Sequence, residues 1–415
     1  MGKTSHDLLD LLHDPTFQHL YQRSDNEIMN WSKFRLLPMP AGYKTEEVWR
    51  VIEALRRLKS HRFPYRPYTH AEQPAETWCS LTNHIGALLR EIVVTAHENA
   101  SEQIRGGQYR FLDILSTDLS AALERDGISL PYEVIHSLAT RQRQATSHDE
   151  HVAAEAIALI LEIDRYARYP ISPWMIEDVL SHFGAKTSQL HRAEDAVCQL
   201  AFAHNTEPPE RIIDTLLQTM NARHLEPELY LLNLLATSTI IWDLLPFCAY
   251  NGLLELFIRH WALESRELSH IRLVPYGYLC LQWEHGDATI VEAAGDYFEV
   301  NPIMGEDHDA TPNFGHELQL IANWLSTANQ GAEPHIPEEV KRLLETHDEL
   351  NGRQRDTLAS LAADPTSQTT IKLHMNLYRV SYGTARTDLL DLAEKGLLVQ
   401  DYQSRAMVFR TPTST

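Results

Sequence analysis

Along most of the chain apolar residues recur at steps of three and four, the spacing that gathers them on one face of an α-helix. Residues 8–22, 45–59, 81–99, 109–124, 150–163, 210–220, 229–243, 253–265, 314–328 and 338–346 carry this pattern. Strand-like runs are few and short: 197–202 is one, and 397–399 with 406–409 is another. The pattern predicts a mostly α protein. No repeat of fixed period and no low-complexity tract interrupts it.

Two stretches break the helical rhythm. Residues 62–74 are rich in proline, tyrosine and histidine, and 329–337 read NQGAEPHIP. They divide the chain into an N-terminal helical region over 1–75, a central core over 76–330 and a C-terminal domain over 338–415.

Composition and charge narrow the picture. The 415 residues are 43% hydrophobic and 22% charged, as in an ordinary globular protein. The net charge of −21 excludes a chain that coats nucleic acid over its whole surface, since phosphate binding needs positive charge. The segment from residue 351 onward is different, at +2 against −23 for the rest, so any nucleic-acid contact is expected there. Cys79, Cys198, Cys248 and Cys280 form no C-x-x-C pair, which fits a reducing cytoplasm and speaks against a disulfide framework. The opening MGKTSHDLLDLLHD carries charges where a signal peptide needs an apolar stretch. The most apolar segment, 229–242, ends at Asp243, short of the roughly 20 residues a membrane span requires. It reads as a buried helix, and no membrane is expected as a partner.

In the C-terminal segment, 352–361 reads as a helix ended by Asp364-Pro365, and 369–378 as a second. Ser381 is a good N-cap for a third, 382–395, with Gly396 placed to stop it. Ala385, Leu389, Leu392 and Ala393 share one face of that helix, while Tyr382, Thr384, Arg386 and Thr387 lie near its N-terminal end. Two short β segments follow, joined by the polar turn 401–404. Helix, helix, turn, helix, hairpin is the order of a winged helix-turn-helix, whose third helix enters a major groove by its N-terminal end. Lys395 and Arg405 are then candidates for phosphate contact. The words VSYGTARTDLLDLAEKGLL resemble winged-helix recognition segments of the form VS..TA.RDL..L...G.L. Winged helices of this kind serve duplex DNA or protein partners. The alternative is a small packing domain with a solvated basic surface.

Residues 240–264 read IIWDLLPFCAYNGLLELFIRHWALE. A buried helix runs into Pro246, and Asn251-Gly252 opens a second helix. A small-residue loop at a helix N-terminus suits an anion, because unpaired N–H groups and the helix dipole favour negative charge. Asn251 and Gly252 are therefore the candidate residual anion loop. Yet the loop has no Arg or Lys, and no carboxylate to hold Mg²⁺.

This segment resembles the Fic (Fido) family, whose motif H-P-F-x-[DE]-G-N-G-R-x-x-R lies between two central helices. YPISPWMIEDVL, EPPERIIDTLLQTM and the opening NWSKFRLLPMPAGYKTEEVW resemble other segments of longer Fic proteins, which often end in a winged helix. The resemblance implies a Fido helical core between an N-terminal helical region and a C-terminal winged helix-turn-helix. It also implies a dimer, as in many relatives. The motif is degenerate here. Leu245 stands where the family has its histidine base, Ala249 where it has the metal-binding acid, Tyr250 at the first glycine, and Leu253 and Leu256 at the two arginines. Pro246, Phe247, Asn251 and Gly252 are kept. Many Fic proteins also carry an inhibitory [ST]-x-x-x-E-[GN] helix. Residues 101–106 have that spacing, with Arg105 in place of the glutamate.

A leucine accepts no proton, an alanine holds no metal and a leucine neutralises no phosphate. Base and electrostatic contributions each carry about two to four powers of ten in rate. The resemblance therefore implies a pseudo-adenylyltransferase without catalytic residues, metal or cofactor. It would act by binding duplex DNA through its C-terminal domain or a protein partner through its core. The alternative is a divergent Fic-fold transferase that modifies a protein target from a nucleotide or nucleotide-sugar donor. Other short signals carry less. Gly2-Lys3-Thr4 lacks the rest of a P-loop. The clusters at 148–151 and 306–309 read as polar turns more readily than as metal sites. Glu255, Arg259 and His260 read as an exposed helical face or an internal ion pair more readily than as a rebuilt polar site.

Overall fold

In the computed structural model the described residues are 8–64, 76–98, 107–185, 209–222, 224–294, 309–330, 346–347, 349–363, 368–378, 380–403 and 406–412. In chain order the N-terminal elements are α1 Leu8–His13, α2 Pro15–Asn26, α3 Trp31–Phe34, α4 Thr45–Leu58, β1 Ser60–Arg62, β2 Trp78–Ser80 and α5 Asn83–Glu98. Then come α6 Gly107–Arg125, α7 Tyr132–Ala139, α8 His148–Leu161, α9 Ile163–Ala167, α10 Pro173–His182, α11 Pro209–Met220, α12 Pro227–Leu244 and α13 Asn251–Ser265. A 3₁₀ turn, Ser269–Leu273, leads to α14 Tyr276–Glu284, α15 Ala288–Ala294 and α16 Thr311–Gln330. The chain closes with α17 Gly352–Ala363, β3 Gln368–Thr370, α18 Ile371–Tyr378, α19 Tyr382–Glu394, β4 Val399–Gln403 and β5 Ala406–Arg410. The protein is mostly α, as the periodicity predicts. No helix among the described residues is long and apolar enough to cross a membrane.

Some elements differ from the pattern for local reasons. The single helix expected over 8–22 is two, because the Asp14 carboxylate accepts the N–H groups of Thr16 (2.8 Å) and Phe17 (3.2 Å), and Pro15 takes the first helical position. The helix expected over 369–378 begins later, since Gln368–Thr370 pairs with β5 instead. Strands β1 and β2 pair antiparallel from either end of the proline-rich stretch, with His61 opposite Cys79. At three residues each they are too short to show an alternating pattern. The strand expected at 197–202 and most of the helix expected at 338–346 lie outside the described residues.

The chain divides into two units. One comprises Met1–Val93, His191–Ile240 and Cys280–Asn323, and the other Val94–Leu190, Ile241–Leu279 and Trp324–Thr415. In the first, Leu11, Phe17, Leu20, Phe34, Val48 and Ile52 form the core of the N-terminal helices. A buried ion pair ties these helices to α16: Arg56 meets Asp309 at 2.9 Å, and Asp309 also accepts the Thr311 N–H at 2.9 Å. Arg56 lies near the rings of Trp49 and Trp78, so its charge is also met by aromatic faces.

In the second unit α13 is the central helix, with every residue from Asn251 to Leu263 buried. It packs against α6, α8, α9, α10 and the 3₁₀ turn. A helix buried all round needs partners for its polar residues. Arg259 bonds Glu255 and Asp118, each at 2.8 Å, and Arg272 bonds His260 and Glu264, each at 2.9 Å. Burial, with the neighbouring Arg272 and Arg259 guanidinium groups, holds His260 well below the usual imidazole range, so it is neutral. Glu255, Arg259 and His260 thus form internal pairs.

The C-terminal segment of this unit has three helices and an antiparallel sheet ordered β3–β5–β4 around Leu358, Leu361, Leu389, Leu392, Leu398 and Phe409. Ser381 caps α19 through the Thr384 N–H at 3.1 Å, and Gly396 has φ 70° just past its end. One buried carboxylate joins all three helices. Asp388 accepts from Arg353 at 2.7 and 3.1 Å, from Asn351 at 2.9 Å, and lies 3.2 Å from His374. Burial pushes its pKa up, but the hydrogen bonds from Arg353, Asn351 and His374 outweigh that and hold it below the usual carboxylate range. A depressed acid contributes stability that is present above its unfolded pKa and lost as pH falls through the folded value. Asp388→Asn should cost this segment about 2 kcal/mol near neutral pH, discounted for the solvent around Arg353. In denaturant melts the gap to wild type should close as pH drops below about 4.

Candidate functional site

The loop between α12 and α13 is held in an uncommon backbone conformation. Leu245 has φ 43° and Tyr250 has φ 61°, both left-handed for residues with full side chains. Such positions cost about 1–2 kcal/mol each and persist only when their surroundings fix them. The fixing is visible. The Asn251 side chain donates to the Phe247 carbonyl at 2.7 Å and accepts the Phe247 N–H at 3.0 Å, closing the loop onto the first residue of α13. Tyr250 rests its ring 5.6 Å from that of Phe183. Asn251 is therefore committed to the loop's own shape.

Two N–H groups at the start of α13 already hold an anion. Gly252 donates to one oxygen of Asp126 and Leu253 to the other, each at 2.9 Å. Asp126 comes just past α6, where Gly127 at φ 74° turns the chain and the Ile128 N–H closes the helix on the Leu123 carbonyl at 2.8 Å. Gly252 makes the approach possible. A Cβ there would lie 2.3 Å from the Ala122 carbonyl oxygen, so only glycine lets α6 come this near. The N–H groups at the start of α13 are thus taken up by a carboxylate of the chain itself.

The positions 245, 249, 253 and 256 fall into two kinds. Leu253 and Leu256 are each 1% exposed and belong to the packed interior around α13. Leu245 and Ala249 lie in the loop, half-buried and exposed respectively. None carries a group that titrates or binds metal. No cluster of three or more His, Cys, Asp or Glu suited to a metal occurs among the described residues. His151 instead bonds the Ser147 carbonyl, and Glu150 takes up Thr146 and Arg143. The segment 101–106 lies outside the described residues.

On α19 the expected DNA-reading side chains share an exposed N-terminal end. Tyr382 is 57% exposed, and Arg386 and Thr387 are exposed beside it. Thr384 shares a hydrogen bond with the Ser381 cap at 2.9 Å, and Thr387 bonds the Gly383 carbonyl at 3.0 Å. Arg386 makes no ion pair among the described residues. The other cations are mostly spoken for. Lys395 pairs with Asp391, Arg410 with Asp401, Lys372 with Glu162, and Arg355 donates to the carbonyls of Leu350 and His347. Arg405 lies outside the described residues. Counting charges from sequence therefore overstates the free positive charge of this segment, and among its described residues Arg386 is the exposed cation without an ion pair.

Sequence reasoning missed Asp126 and Asp388. Asp126 finds its partners 126 and 127 residues away, and its only local signal is an Asp-Gly at a helix end. Asp388 reads as one acid on an exposed helix until the helices it joins are known.

No protein-family model matches the chain, and no curated protein does. Among solved structures it is similar to a Fic family protein from Desulfovibrio desulfuricans G20. The two are 15% identical, with a TM-score of 0.44, over 85% of this chain and 99% of that one. At that identity and score no residue role transfers.

Burial pushes the Asp126 carboxyl up to about 6, against the downward pull of the backbone N–H groups of Gly252 and Leu253 and of the Arg125 charge. An acid raised on folding adds stability that is complete below its unfolded pKa and is lost as pH rises through the folded value. Asp126→Asn should therefore trail wild type most near pH 4 and progressively less toward pH 7, as calorimetric melting across about that range would show.

Proposed function

We propose that this chain is a Fic-related protein that has given up nucleotide transfer and works by binding, with its C-terminal segment as a winged helix on duplex DNA. The observation that carries the first half is Asp126. Its two oxygens occupy the N–H groups a nucleotide phosphate would need. A phosphate brought alongside would meet a like charge at about 4 Å, at a cost of about 1 kcal/mol per charge pair in water and about 4 near a protein surface. Leu245, Ala249, Leu253 and Leu256 supply neither base, metal ligand nor counter-charge to offset it.

The second half is supported by the order helix, strand, helix, helix, hairpin and by the exposed end of α19. Arg386 and Tyr382 would reach bases, and Thr384 and Thr387 would line the same groove. The cytoplasm and a homodimer fit this reading, with a protein partner on the helical core as a second binding role. The competing reading, a transferase for a nucleotide or nucleotide-sugar donor, would have to displace Asp126 or place its donor elsewhere.

Two measurements test the proposal. Pure protein incubated with labelled ATP, CTP or UTP and Mg²⁺ should label neither itself nor added protein. Label on either would overturn the first half. In binding to a pool of random duplexes at low salt, the full chain should retain DNA, with affinity falling steeply as salt rises. Arg386→Ala should weaken that retention by about tenfold while leaving the melting temperature unchanged.

A further inference from the structure

A cleft of about 570 Å³ opens where the C-terminal end of α13 and the short helix α9 meet the turn between α18 and α19. That volume lies in the range of small-molecule sites. Its lining is two-sided. Asp164, Glu264 and Glu267 stand on the α9 and α13 side with one cation, Arg168, while Met375 and Val380 form the other wall.

Among the described residues the charges do not cancel. Arg168 is held by Asp164 at 3.4 Å. Glu264 is engaged by Arg272 and Ser269 at 2.9 and 2.8 Å, outside the lining. Glu267 is exposed and makes no ion pair among the described residues, and its φ of 59° shows that the chain holds it in an unfavoured conformation. The cleft also lies at the C-terminal end of the fifteen-residue α13, the negative pole of its dipole, which favours a cation. Met375 and Val380 offer apolar contact at the edge of the C-terminal core.

The wall these two residues form has a consequence. The Val380 N–H closes on the Met375 carbonyl at 3.2 Å, and the next residue, Ser381, caps α19. A molecule seated against both touches the turn that aims α19.

We propose that this cleft binds an organic cation, a primary ammonium on a short apolar arm, with the ammonium at Glu267 and Asp164 and the arm against Met375 and Val380. Occupancy stiffens the turn before α19. The value of this as an effector site rests on the DNA-binding reading, but the binding itself does not.

Phenethylamine is the probe, with 2-phenylethanol as its uncharged counterpart, titrated calorimetrically into the full chain without DNA. The amine should give saturable one-to-one heat and the alcohol none. Glu267→Gln should weaken the amine by about tenfold, and adding Asp164→Asn should weaken it further. Glu267 is exposed, so its variant should fold as wild type does, which melting would check. Hydrogen exchange should slow at residues 380–387 on adding the amine. No saturation up to about 10 mM, equal binding of the alcohol, or indifference to Glu267→Gln would overturn the site. Slowing confined to other parts of the chain would overturn the link to α19. Failure to bind duplex would sink the DNA reading while leaving all these readouts intact.

Discussion

The start of a buried helix has N–H groups that need an acceptor, and α13 meets that need with a carboxylate from the end of α6. This contact fixes more than a cap. It sets how close α6 comes to α13, which only Gly252 permits, and the surrounding helices pack on the pair. It decides what the loop before α13 can receive, because the two N–H groups that make such a loop attractive to phosphate are satisfied from within. The side chain of Asn251 closes the loop from the other side, so both polar features of the anion motif are turned inward.

A second theme is the use of single buried charges to join segments distant in sequence. Arg56 and Asp309 do so in one unit, Arg259 with Asp118 in the other, and Asp388 with Arg353, Asn351 and His374 in the C-terminal segment. Apolar packing supplies most of the stability of each, and a buried pair is weak evidence for extra stability. Its value is geometric. Hydrophobic faces can slide past one another at small cost, while a guanidinium with fixed acceptors cannot. Removing either partner leaves an uncompensated charge, which makes these positions intolerant of change.

Much of the helical architecture was legible, and the reason is periodicity. Helix α4 carries a one-sided apolar stripe, and α8, α12 and α13 carry apolar residues at three- and four-residue steps over several turns. The ends of α19 were equally readable, since Ser381 and Gly396 act through bonds that span only a few residues. Short elements were not. Three-residue strands such as β1 and β2 exist because a partner lies across from them, and α7, α14 and α15 are short helices whose packing is set by the whole unit. At the candidate site the absence of a base, a metal ligand or a cation at 245, 249, 253 and 256 could be read from residue type alone. That Asp126 takes up the N–H groups at the start of α13 could not, because it is separated from α13 by more than a hundred residues.

The residues around this loop are also physically consistent with one another. Leu253 and Leu256 lie on a helix buried on every side, where a charged side chain would need a buried counter-charge. Ala249, three residues before Gly252, spares the loop a second carboxylate beside the one already lodged at the helix start. A charge introduced at 253 or 256 would be buried with no partner placed for it, and a carboxylate added in the loop would stand near the one already held by Gly252 and Leu253, so the apolar packing of α13 and the seat of Asp126 constrain the loop together.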